Sequence, residues 1–121
     1  MTTYTTHLDV KYGALELIDL EQLVDGVTDE WYNQTLCRVN ESVVRIGVLE
    51  GEYHWHSHDH EDEFFCVLDG ALSIDVEGER TVELTPWKAV CMPQVVRHRP
   101  RSPHRTVVLM VEPAAVVPTG D

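Results

Sequence analysis

His54-Trp55-His56-Ser57-His58-Asp59-His60-Glu61-Asp62-Glu63 gathers four of the chain's seven histidines at alternate positions and ends on a carboxylate. Side chains two apart on an extended strand share a face, so His54, His56, His58 and His60 are expected to point one way. Imidazole is the commonest side-chain ligand for transition metals, and an adjacent carboxylate adds a hard donor that suits a divalent cation. Glu63 lies an odd number of positions from His58, so a bend must intervene before both can reach one ion. The polar run Asp59-His60-Glu61-Asp62 supplies it. A histidine from a distant strand would complete an open site; His98 is the candidate, with His104 in reserve.

The surrounding sequence reads as short strands. Thr35 to Val39 and Val43 to Leu49 flank Asn40-Glu41, and Phe64 to Leu68 and Leu72 to Val76 flank Asp69-Gly70. A further break at Glu77-Gly78-Glu79 precedes Leu84. Such turn residues between apolar stretches are hairpin signals. Val44, Ile46 and Val48 alternate with Arg45 and Gly47, the period of a half-buried strand. Val107 to Val111 is a continuous apolar run, as in a strand covered on both faces. Together these predict an all-β barrel or sandwich. One helical segment is expected, with Asp19 capping Leu20 to Asp25 and Gly26 ending it.

Composition bounds the rest. The chain has 121 residues, 43% of them hydrophobic and 25% charged, which suits one globular domain with its own core. We expect a barrel core over about 34–112, an N-terminal extension over 1–33, and a Pro-rich C-terminal tail over 113–121 that packs across the domain or onto a second subunit. No apolar run approaches the roughly 18 residues that span a bilayer, and the N-terminus lacks a signal-peptide pattern, so a cytoplasmic protein without a membrane partner is expected. Cys37, Cys66 and Cys91 are widely spaced among apolar neighbours, and read as small buried hydrophobes.

With 21 acidic residues against 9 Lys plus Arg, the net charge of −12 repels a phosphate backbone and argues against nucleic acid as a partner. The cations are unevenly placed: Arg97, Arg99, Arg101 and Arg105 crowd the region of His98 and His104. Either they prepare a place for an anion or they pair with surface carboxylates.

Gly51-x4-His56-x-His58-x4-Glu63-x6-Gly70 resembles the first motif of the cupin superfamily, and Pro93-x4-His98 resembles the second. The spacing of 22 residues between them is similar to that of small single-domain cupins. The resemblance implies a jelly-roll barrel, or double-stranded β-helix, with a divalent transition metal (iron, zinc, nickel or manganese) held by His56, His58, Glu63 and His98. It also implies a homodimer joined through an outer sheet. His54, His60 and Arg99 are candidates to assist from beside the ligands. The second motif departs from the family pattern at Trp87 and Val95, where glycines usually serve turns, and at Ser102, usually Asn. Its loops are therefore expected to be shaped differently, with the Trp87 indole available to cover something.

The implied function is a metalloenzyme for a small organic molecule, such as one bearing a carboxylate or an enolisable carbonyl. Iron would make it a dioxygenase, and the other metals an isomerase, cyclase or lyase. The alternative is a small-molecule binding or sensor module with a structural metal.

Overall fold

A computed structural model describes residues 4–120. The elements run β1 (Thr5–His7), α1 (Leu20–Asp25), β2 (Trp31–Val39), β3 (Ser42–Glu52), β4 (Glu63–Asp69), β5 (Leu72–Val76), β6 (Thr81–Leu84), β7 (Ala89–Met92) and β8 (His98–Pro113). The all-β jelly roll is present, with one short helix. Asp19 caps that helix, accepting a hydrogen bond from the Gln22 amide at 3.0 Å. No helix among the described residues is long and apolar enough to cross a membrane.

β8 is the spine. One edge pairs antiparallel with β3 along most of its length, and the other pairs with β5 and then with β4. The continuous apolar run marked only the second half of this strand, because Pro100 and Pro103 argue against a strand in the first. Proline is admitted in sheets where the ladder is interrupted. The β3–β8 register shifts between the Leu49–Thr106 and Gly51–Ser102 pairs, and Pro103 falls in that interval. Ser102 braces the irregularity, its hydroxyl 2.6 Å from the carbonyls of both Ala71 and His104.

Two cores flank the sheet. Inside the barrel, Phe65, Val67, Leu72, Ile74, Leu84, Met92, Val108 and Met110 pack together. On the outer face, Ile46, Val48, Leu36 and Val107 are covered by Val24 and the N-terminal segment, including Tyr12, Ile18 and Leu23. Burying each of these aliphatic side chains contributes roughly 1.5–3 kcal/mol. The alternation in β3 therefore has an unusual sense: its apolar face meets the N-terminal segment, while Arg45 and Gly47 turn inward. A Cβ on Gly47 would lie 3.0 Å from Met110 Cε, so the glycine makes room for that methionine.

The regular barrel begins at Trp31 rather than near residue 34, and β1 adds a strand parallel to β2. The tail does pack across the domain, with Val116 buried. The cysteines depart from expectation: Cys37 and Cys66 are half-buried and Cys91 is exposed, because β7 turns it outward beside Phe64.

The second-motif loops keep the turn geometry that glycine usually serves. Trp87 has φ 73° and Val95 has φ 62°, both left-handed. Backbone ties impose this, since the Trp87 amide donates to Val67 O at 2.9 Å and the Val95 amide to His58 O at 2.7 Å. The expectation of reshaped loops is thus corrected. Trp87 is 83% exposed and is not among the residues lining the cavity described below.

Candidate metal centre

His56 and His98 meet through a reciprocal backbone bridge, His56 N to His98 O at 3.0 Å and His98 N to His56 O at 2.9 Å. A second tie joins the two motifs, the Gln94 amide donating to Asp62 Oδ1 at 2.9 Å. These bonds align the two motifs without a continuous strand. Glu63 opens β4, past the bend at 59–62, and points inward with Phe65 and Val67.

The result is a buried cluster. His56, His58, Glu63 and His98 each offer one donor atom, all within 4.8 Å of one another. His58 Nε2 lies 3.4 Å and His98 Nε2 3.7 Å from Glu63 Oε1. Donors sharing a transition ion, each at about 2.1 Å, stand at most about 4.2 Å apart, so a slight contraction suffices. Two details support the fit. The His56 and His98 Nδ1 atoms lie 3.1 and 2.9 Å from the carbonyls of His54 and Val96. A carbonyl only accepts, so Nδ1 carries the proton and the Nε2 lone pair is left for an ion. Moreover, Glu63 Oε1 and His98 Nε2 are buried without a hydrogen-bond partner. A divalent ion bound here would supply Lewis acidity or, if redox-active, access to dioxygen chemistry.

Protonation favours the same use. Burial, reinforced by repulsion from His98, lowers His56 to about 4, so its imidazole is neutral near pH 7. Burial works to raise Glu63, but the polar groups of Glu112, His58 and His98 beside it outweigh that and hold the carboxyl well below its usual range. Neutral imidazoles beside an ionised carboxylate are the forms that bind metal.

Behind Glu63 lies a buried group that the sequence reading passed over. Arg45 Nη1 is 2.7 Å from Glu112 Oε1 and 3.0 Å from Val116 O, and Arg45 Nε is 2.9 Å from Thr35 Oγ1. The arginine alone would keep Glu112 ionised. Burial and the adjacent Glu63 outweigh it, raising Glu112 to about 9, so its carboxyl is protonated near pH 7. The only available signal was an arginine inside an alternating apolar strand.

The other candidates lie elsewhere. His54 is not aimed at the donors; it bridges the chain's two ends, its Nε2 donating to Thr119 O at 2.6 Å and its Nδ1 3.2 Å from the Tyr4 hydroxyl. His60 and His104 are exposed. Shared parity fails for His60 because residues 53–62 are not a strand beyond the bridge at His56. Arg99 and Arg101 sit on the outer face and both bind Asp75, with Arg99 also stacked over Trp55. Arg97 pairs with Glu77, and Arg105 donates to the carbonyls of Val24 and Val27. The arginine crowd is thus engaged with surface acids and a helix end.

A cavity of about 60 Å³ reaches the donors, with His56 and Glu63 in its wall. Trp31, Leu49, Phe65 and Met110 line it, together with Tyr4, Tyr53 and Pro118. The Tyr53 hydroxyl donates to Pro118 O at 3.3 Å, and burial raises its pKa so that it stays a phenol.

Residues 42–112 match the family model described as the cupin domain. The chain belongs to the cupin family. It is 38% identical over 94 residues to the uncharacterised protein YdbB of Bacillus subtilis (strain 168), covering 78% of this chain and 83% of that one. A cupin-2 domain protein from Shewanella frigidimarina superposes with a TM-score of 0.75 at 24% identity, covering 80% of this chain and 94% of that one. Ectoine synthase from P. lautus superposes with a TM-score of 0.67 at 18% identity, covering 83% of this chain and 78% of that one. The last two likenesses concern the fold alone.

Proposed function

We propose that this cupin is a metal-dependent enzyme acting on a small organic molecule, with His56, His58, Glu63 and His98 as ligands of a divalent transition ion. One observation carries the reading: the buried donor cluster borders a cavity rather than solid core. A purely structural ion is better served by a closed shell, whereas catalysis needs a position for substrate. Within the cavity the chain's own residues would hold and orient the substrate, keep bulk water out with the Trp31 and Tyr53 rings, and offer the Tyr53 phenol as a neutral hydrogen-bonding group. The reaction class follows the metal: dioxygen-dependent oxidation with iron, and isomerisation, cyclisation or elimination with zinc, nickel or manganese. That one structure of this fold is an ectoine synthase supports catalysis as a use of the barrel, without transferring that reaction.

A specific feature favours a second reading, a binding or sensing module. Apart from His56 and Glu63, the ionisable groups lining the cavity are tyrosines. Pairing of two copies belongs to the proposal as well, since Phe64 and Cys91 stand opposite each other and exposed on the outer face of β4 and β7. Sedimentation velocity checks it, with a single monomer-sized species as the contrary result.

Cobalt substitution tests the open site. Visible bands that shift on adding azide support a coordination position open to ligand. Bands indifferent to azide place the ion in a closed structural shell and remove the enzyme reading.

A further inference from the structure

We infer that the cavity selects ligands with an apolar body and at most one negative charge, carried by the end that meets the donor cluster. The inference rests on the proposed metal site and deepens it to a substrate class. Its basis is a census of charge around the cavity.

None of the described residues lining the cavity is Lys or Arg. Beyond Glu63 and His56, its polar side chains are the neutral hydroxyls of three tyrosines and two threonines and the carboxamide of Asn33, and its apolar lining includes Trp31, Leu49, Phe65 and Met110. The nearest buried cation, Arg45, is occupied by Glu112, Thr35 and the Val116 carbonyl. Arg97, Arg99 and Arg101 are committed to Glu77 and Asp75. A divalent ion among three neutral imidazoles and one carboxylate leaves one positive charge to be balanced, which a single anionic head satisfies. A second carboxylate or a phosphate further along the ligand would lie against indole and aliphatic carbon with nothing to pair it, a costly burial. The chain's charge of −12 opposes dianions on approach as well. Phosphorylated and dicarboxylic substrates are therefore excluded. Monocarboxylates, enolates and neutral carbonyl compounds with hydrocarbon bodies are admitted.

Butyrate and succinate isolate the charge, since they differ at the far end in a methyl against a carboxylate. Zinc content is measured first, and each acid is then titrated calorimetrically into the zinc-loaded protein at one pH and ionic strength. Butyrate is expected to bind at least about tenfold tighter than succinate. Thr6→Arg, at an exposed position of the lining, should narrow that gap by strengthening succinate more than butyrate. Succinate binding as tightly as butyrate, or neither acid binding to protein that has taken up zinc, overturns the substrate class and leaves the metal site standing. Failure to take up zinc or any other divalent ion removes the site itself, and the inference with it.

Discussion

Arg45 and Glu112 lie 2.7 Å apart with side chains 3% and 0% exposed, and they connect the C-terminal tail to the carboxylate of the donor cluster. Removing the guanidinium strands several buried acceptors at once. Arg45→Met is expected to cost about 3–5 kcal/mol in urea unfolding. Glu112→Gln keeps an oxygen for Arg45 and an N–H for Glu63, and should cost under about 1.5 kcal/mol. The reverse order would contradict a protonated Glu112.

The same group gives the metal-free protein a particular pH profile. Glu112 has its folded pKa raised to about 9, so the folded state holds the proton more tightly and stability is lost as pH rises toward 9. His56 is lowered to about 4, so the unfolded state binds the proton more tightly and stability is lost as pH falls below its unfolded value of about 6.5. The lowered Glu63 adds to the loss on the acid side. Between roughly pH 4.5 and 6.5 the His56 and Glu112 contributions offset, which places the maximum there. Urea midpoints across pH 4–9 check this, and Glu112→Gln should flatten the alkaline limb. A midpoint that rises steadily to pH 9 contradicts it.

Left-handed residues give a paired test of backbone strain. Val95 is β-branched at φ 62° and 66% exposed, so Val95→Gly should stabilise by up to about 1 kcal/mol. Gly70 has φ 88°, and a Cβ there would fall 2.5 Å from Thr106 Oγ1 and 2.8 Å from Arg105 O, so Gly70→Ala should cost about 1–3 kcal/mol. Thermal unfolding of both variants reads the two signs.

The metal residues were legible because their spacing is a local property: the first motif carries three of them within eight positions. The hairpins at Asn40 and Gly78 were legible for the same reason, both residues taking positive φ. The hairpin expected at Asp69-Gly70 is corrected: the chain turns there, but β4 and β5 each pair with β8 and not with each other. What escaped depends on distant partners. Asp75 decides the fate of Arg99 and Arg101, and nothing near either arginine announces it. Likewise β1 forms because Thr5, Thr6 and His7 find the free edge at Tyr32, Asn33 and Gln34. The Trp87 and Val95 departures misled because long-range amide bonds hold the backbone in a shape that side-chain identity argues against.

That surface pairing carries its own expectation. Arg99 is 27% exposed at its side chain, so Arg99→Ala should cost about 1 kcal/mol or less and leave metal content unchanged. A loss of bound metal in this variant would reinstate Arg99 beside the site.

The most direct measurement is elemental analysis of untagged protein purified without chelator, alongside Glu63→Ala and His98→Ala variants whose folding is verified by circular dichroism. One divalent transition ion per chain is expected in the parent, with most of it lost from either folded variant. Folded variants that retain the full complement, or a parent that neither carries nor takes up such an ion, would contradict the account.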